Sequence, residues 1–144
     1  MSNQMIFAKH SISSSIAQPM SSVAEHQACQ RSLQAAIAIV DPSSILRAFG
    51  RMDVAPRVNV GVAIRKGRTV VGVGIPTGKC WHDFVKDDPS RLAGIQSIDP
   101  LTVFGGGFPS TLDGHMMDAI GVAGGYHSKD EECARAGLWT LEKR

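Results

Sequence analysis

Residues 104–126, FGGGFPSTLDGHMMDAIGVAGGY, leave the chain the fewest choices. Asp113-Gly114 divides two short apolar runs. Asp-Gly between candidate strands predicts a two-residue hairpin turn whose central positions both take positive φ. Gly105-Gly106-Gly107 and Gly124-Gly125 bracket the pair. Glycine adopts positive φ without strain and lets another backbone or a ligand come close. The pattern predicts a strand over 101–104, then a β-hairpin with glycine-lined ends. It leaves open whether those glycines serve turns or a ligand.

A helix follows at once. Ser128-Lys129-Asp130-Glu131 reads as a capping box, a serine at the cap with a glutamate three residues on. Asp130 and Glu131 suit the positive end of the helix dipole, and Lys143 and Arg144 the negative end. Ala134, Leu138 and Leu141 form its apolar stripe.

Upstream, residues 1–12 show no sustained period and read as a flexible or extended arm. Over 13–33, Ile16, Met20, Val23, Ala24, Ala28 and Leu33 fall near one helical face. Pro19 disfavours a helix interior, so Ser21 or Ser22 is the expected cap. Residues 35–40 predict a buried strand ending at the turn Asp41-Pro42-Ser43-Ser44. Residues 45–52 return as the second arm, with Arg47 and Arg51 exposed or lying along a ligand groove. Residues 57–75 admit two readings. Val58, Val60, Val62 and Ile64 alternate as a strand would, and local propensity favours a hairpin. A helix would place Val58, Val62, Arg65 and Thr69 on one face, weakened by Gly61, Gly67, Gly72 and Gly74. Residues 79–85 give a turn or two of helix. Residues 86–100 read as a polar surface loop.

At 144 residues the chain is long enough for one domain over 1–144 with a core of its own. A net charge of +2 argues against a nucleic-acid binder. The run Arg65-Lys66-Gly67-Arg68 reads as a solvated tip. No apolar run has the length of a membrane span or a signal sequence, so no membrane partner is expected. Cys29, Cys80 and Cys133 are scattered and form no Cys-x-x-Cys. They read as small buried residues in a reducing cytoplasm, without disulfides or zinc.

In order and spacing the chain resembles the GlcG/HbpS-like family, also described as PduO C-terminal-like or haem-degrading. The matching segments are Ala36–Asp41 (AIAIVD), Arg51-Met52-Asp53-Val54-Ala55-Pro56, Pro76-Thr77 and the block from Gly105 through Asp113-Gly114 to Gly125. Asp130-Glu131 with Ala134 and Ala136-Gly137-Leu138 complete it. The resemblance implies an α/β (α+β) fold with a profilin-like antiparallel central sheet and helices packed on its faces. It also implies, against local propensity, that 57–74 is a helix lining a ligand cavity. The chain departs from the pattern at Pro42-Ser43-Ser44, Val54, Lys66-Gly67 and Asp118.

Members of that family bind haem, some degrade it, and others sit in catabolic gene clusters. The resemblance thus implies haem or another small organic ligand, and a homo-oligomer in which the helix bearing Trp139 buries its second face. Haem needs an axial ligand, an apolar slot and cations for its propionates. His26, on the first helix, or His82, beside Trp81 and Phe84, is the expected axial ligand. Arg51, Gly106, Gly124 and Gly125 would line the site. His10 and His115 read as arm and turn-tip residues. A second reading is a small acid–base enzyme acting on a carboxylated substrate. In it His127 or His82 is the base, Asp118 a cavity carboxylate and Arg51 a clamp for the substrate carboxylate. Backbone N–H groups of the glycine clusters would hold an anion. Each residue also has a plainer role: exposed or packed histidines, an outward strand position for Asp118, and an ion pair of Arg51 with Asp53 or a neighbouring chain. A third reading is a non-catalytic oligomeric binding or regulatory module.

Overall fold

The computed structural model describes residues 3–98 and 101–142, Glu142 by its backbone alone. Helix α1 (Ser14–Gln30) precedes the hairpin β1 (Ala36–Val40) and β2 (Leu46–Arg51). Then come α2 (Val58–Val73), α3 (Lys79–Val85), α4 (Pro89–Gly94) and a 3₁₀ turn (Ile95–Ser97). The hairpin β3 (Gly107–Leu112) and β4 (His115–Ala123) leads into α5 (His127–Glu142). The strands form one antiparallel sheet in the order β2-β1-β4-β3. Alternation sends successive strand residues to opposite faces. Ile37, Ile39, Ile120 and Val122 pack against Met20, Ala24 and Ala28 of α1 and Cys133 and Ala134 of α5. Ala36, Ala38, Val40 and Ala123 face Ala63 of α2. The expected antiparallel sheet with helices on its faces is borne out. Among the described residues no helix is long and apolar enough to cross a membrane.

The predicted hairpin turn forms, with Asp113 at φ 51° and Gly114 at φ 79°. Helix α2 overrides its local strand propensity because its small residues let it lie very close to the sheet. A Cβ on Gly121 would overlap the carbonyl of Ala63, and one on Gly67 would lie 2.7 Å from Cγ2 of Val40. Gly74 then closes the helix in the left-handed region at φ 89°. These contacts separate two glycines of one helix. A Cβ at Gly72 meets nothing within 4 Å, so Gly72→Ala is expected to stabilise the fold by about 1 kcal/mol. Gly67→Ala presses on a stiff β-branched side chain and is expected to cost about 1–3 kcal/mol. Adding Val40→Ala to it should recover part of that loss in urea denaturation. Equal effects at the two glycines would refute this packing.

Several local expectations are corrected. Helix α1 starts at Ser14, not after Ser21 or Ser22, and Pro19 lies inside it. Because Pro19 sits in the second turn, only the Ser15 carbonyl loses its helical donor. Residues 86–100 are not a plain loop. Asp88 caps α4, its Oδ1 accepting from the N–H groups of Ser90 (3.0 Å) and Arg91 (3.2 Å). Residues 101–104 are not a strand. Their backbone is used elsewhere: Thr102 N–H donates to Thr69 Oγ1 (2.8 Å), and the Val103 carbonyl accepts from Gly78 N–H (2.8 Å). Helix α5 opens at His127, which puts Ser128 inside its first turn rather than at the cap. Lys143 and Arg144 lie outside the described residues. Of the cysteines only Cys133 is buried; Cys29 and Cys80 are exposed.

Residues 3–11 carry no regular element. The arm is pinned where Ile12, 3% exposed, donates its N–H to the Met117 carbonyl at 3.1 Å.

Candidate functional site

The two glycine clusters meet over a buried ion pair that neither cluster announces. Lys66 reaches from α2 and Asp130 from the first turn of α5. Lys66 Nζ donates to Asp130 Oδ2 at 2.9 Å and to the Val122 carbonyl at 2.7 Å. Both side chains are almost fully buried. The other Asp130 oxygen, Oδ1, accepts from the N–H groups of Gly124 and Gly125, each at 3.0 Å. Those N–H groups therefore hold an anion, and it is an internal one. Gly106 (φ 121°) lies over the same pair: a Cβ there would stand 3.0 Å from Lys66 Nζ and 2.6 Å from the Val122 carbonyl. Burial lowers the Lys66 pKa, and the Asp130 charge opposes that shift.

Outside this pair the surface opens into two hollows that share Phe104 and His127. One, of about 520 Å³, is lined by Lys79, His82, Val103, Phe104, His127 and Glu131, among others. The other, of about 210 Å³, lies beside Asn59, Val62 and Tyr126 and reaches Lys66 and Asp130. His82 and His127 come from different helices, are both exposed, and face one groove.

The remaining candidates lie elsewhere. His26 is on the exposed side of α1, its ring 3.1 Å from Gln30 Nε2, over a separate hollow with Glu25, Cys29 and Met52. Arg51 holds its own loop together: Nε and Nη2 donate to the Ala55 carbonyl at 3.2 and 2.9 Å. His115 stacks on His10, with ring centres 3.9 Å apart.

Asp118 is fully buried, not outward-facing. It shares its strand face with Ile120 and Val122, so it points toward α1 and α5, away from α2 and the groove. Burial raises its pKa from the ordinary 3.8 to about 7, with the Ser110 hydroxyl opposing the shift. Ser110 stands directly across the strand pair. Even so, neither Asp118 oxygen nor the Ser110 hydroxyl completes a hydrogen bond of normal geometry.

Lys66 and Asp130 are the polar centre that sequence reasoning missed. Lys66 was expected on a solvated tip and Asp130 as a first-turn acidic residue suiting the helix dipole. A signal existed once α2 is accepted as a helix. Ala63, Lys66, Gly67 and Val70 then follow the spacing of one buried face, with a lysine inside it.

The model of the family described as haem-degrading protein HbpS-like matches residues 12–139. No curated protein matches the chain. Among solved structures, Klebsiella pneumoniae protein ORFY superposes with a TM-score of 0.88 at 21% identity, over 100% of this chain and 99% of its own. A doubly substituted HbpS of Streptomyces reticuli gives 0.84 at 25% identity, over 98% and 93%. PduOC in complex with haem gives 0.82 at 21% identity, over 90% and 94%. At 21% identity the likenesses to ORFY and PduOC speak for the fold alone.

Proposed function

The chain belongs to the HbpS-like family, and we propose that it binds haem in the groove between α3 and the start of α5. The observation that carries this reading is the convergence of His82 and His127 on that groove, with Val103 and Phe104 beside them. The residues present suit the group. An imidazole is a common axial ligand of haem iron, and apolar walls shield the macrocycle. Lys79, also in the wall, supplies a cation for a propionate. Bound haem would supply an iron centre whose potential and reactivity follow the axial ligand and the polarity around it. Gly106 packs on the Lys66–Asp130 pair, and Gly124 and Gly125, which line the adjoining smaller hollow, hydrogen-bond it; together they fix the groove floor.

Titrating the purified protein with haemin tests the reading. A saturable Soret band is expected. His82→Ala or His127→Ala should shift it and weaken binding by about 10–100-fold, the scale seen when a partner is lost at a metal site. His26→Ala should leave it unchanged. A flat titration would remove the haem reading. Loss confined to His26→Ala would move haem to the hollow beside Met52 on α1.

A further inference from the structure

His82 faces the groove, while Trp81, Phe84 and Val85 of the same helix line a second cavity of about 630 Å³. That volume lies in the range of small-molecule sites. Trp81, Val85 and Ile95 form a small apolar core of their own beside it, separate from the two cores on the sheet.

Two guanidiniums, of Arg68 and Arg91, stand in the wall, and among the described residues no carboxylate lines it. Arg68 Nε donates to the Ser44 carbonyl at 3.1 Å. Arg91 Nε lies 3.3 Å from Asp88 Oδ2, with its guanidinium 4.6 Å from the centre of the Phe84 ring. These contacts fix where the positive charge sits. Trp81 is 3% exposed, and its indole N–H finds no hydrogen-bond partner. Buried donors are rarely left unpaired. An apolar chamber with Arg68 and the Asp88-paired Arg91 in its wall complements an apolar anion. Its body would leave water against the aromatic wall, and its carboxylate would meet a planar guanidinium.

We propose that this cavity binds a monocarboxylic acid with an extended apolar body, at a site distinct from the haem groove. Decanoate is a suitable probe. In the 144-residue chain carrying Trp139→Phe, Trp81 becomes the sole tryptophan. Decanoate should change its emission saturably, and decanol, of equal length and no charge, should bind about tenfold more weakly. Arg68→Ala and Arg91→Ala should each weaken decanoate about tenfold.

Gly72→Leu provides the blocking variant. Gly72 lines the cavity, a Cβ there is unobstructed, and leucine favours the helix. It should abolish decanoate binding and leave the haemin titration intact. Equal affinity for decanol and decanoate would overturn the proposal, as would decanoate binding that survives Gly72→Leu. If Gly72→Leu instead abolishes the Soret band, the cavity is haem's. If it instead dissociates an assembly seen by sedimentation, the cavity is filled by a second copy. Either result overturns the assignment. Soret absorbance and tryptophan emission are separate signals, so failure of the haem reading and failure of this one are told apart.

Discussion

Asp130→Ala is expected to destabilise the fold by about 3–5 kcal/mol, the usual cost of breaking a buried ion pair from one side. The carboxylate does two jobs at once. It neutralises Lys66 through Oδ2, and it satisfies the Gly124 and Gly125 N–H groups through Oδ1. Alanine leaves a cation in a site almost without water and two partly buried donors without their acceptor. Each is costly when unpaired. The double variant Lys66→Met with Asp130→Asn separates the two jobs. The amide oxygen still accepts from the glycines, and no buried charge remains. It should recover most of the loss, because apolar replacements of buried pairs are often neutral. Urea denaturation at constant pH decides. An Asp130→Ala protein within about 1 kcal/mol of the parent would mean that water reaches the pair.

Asp118→Asn is expected to stabilise the protein at pH 8 and to leave it nearly unchanged at pH 4. The folded carboxyl has its pKa raised to about 7, against an ordinary 3.8. Below the lower value both folded and unfolded chains are protonated, and burial carries no charge penalty. As pH rises from there, the unfolded chain gives up its proton while the folded chain keeps it, so stability falls. Above about 7 both are ionised and the loss is complete. A gap of about three units at 1.36 kcal/mol each sets a ceiling of about 4 kcal/mol. Asparagine does not titrate, so its urea midpoint should be flatter across this window than that of the parent. If Asp118→Asn costs as much at pH 8 as at pH 4, the carboxylate has a partner and the burial argument fails.

Much of the fold was legible because local signals agreed with packing. The Asp-Gly turn needs two positive φ values, and residues 36–40 are apolar on both faces because helices cover both. Helix α2 was legible only through family resemblance. Its glycines count against a helix locally, and the contacts of Gly67 and Gly121 that justify them are between segments distant in sequence. The strand expected over 101–104 failed for a related reason: its backbone partners, Thr69 and Gly78, lie in other elements. In the site, the glycine clusters were visible but their occupant was not. Asp130 resembles any acidic residue in a first helical turn until its neighbours are placed. Asp118 stood out as a carboxylate in an apolar strand, but which face it takes follows from strand register, and that puts it away from His127.

The strand order has a consequence for how the molecule is made. The central pair of the sheet joins β1 to β4, and the ion pair joins α2 to α5. A nascent chain therefore presents β1 and α2 to its surroundings long before either has its partner. The β1–β2 hairpin is local and can form early with α1 on one face and α2 on the other, but the parts of those faces that pack on β4 and α5 wait for these later segments. Closing so distant a pairing is slow relative to local contacts, and the waiting surface is open to chaperones and to aggregation. Closure of the sheet centre and of the ion pair is thus a late step, taken only once β4 and α5 have been made.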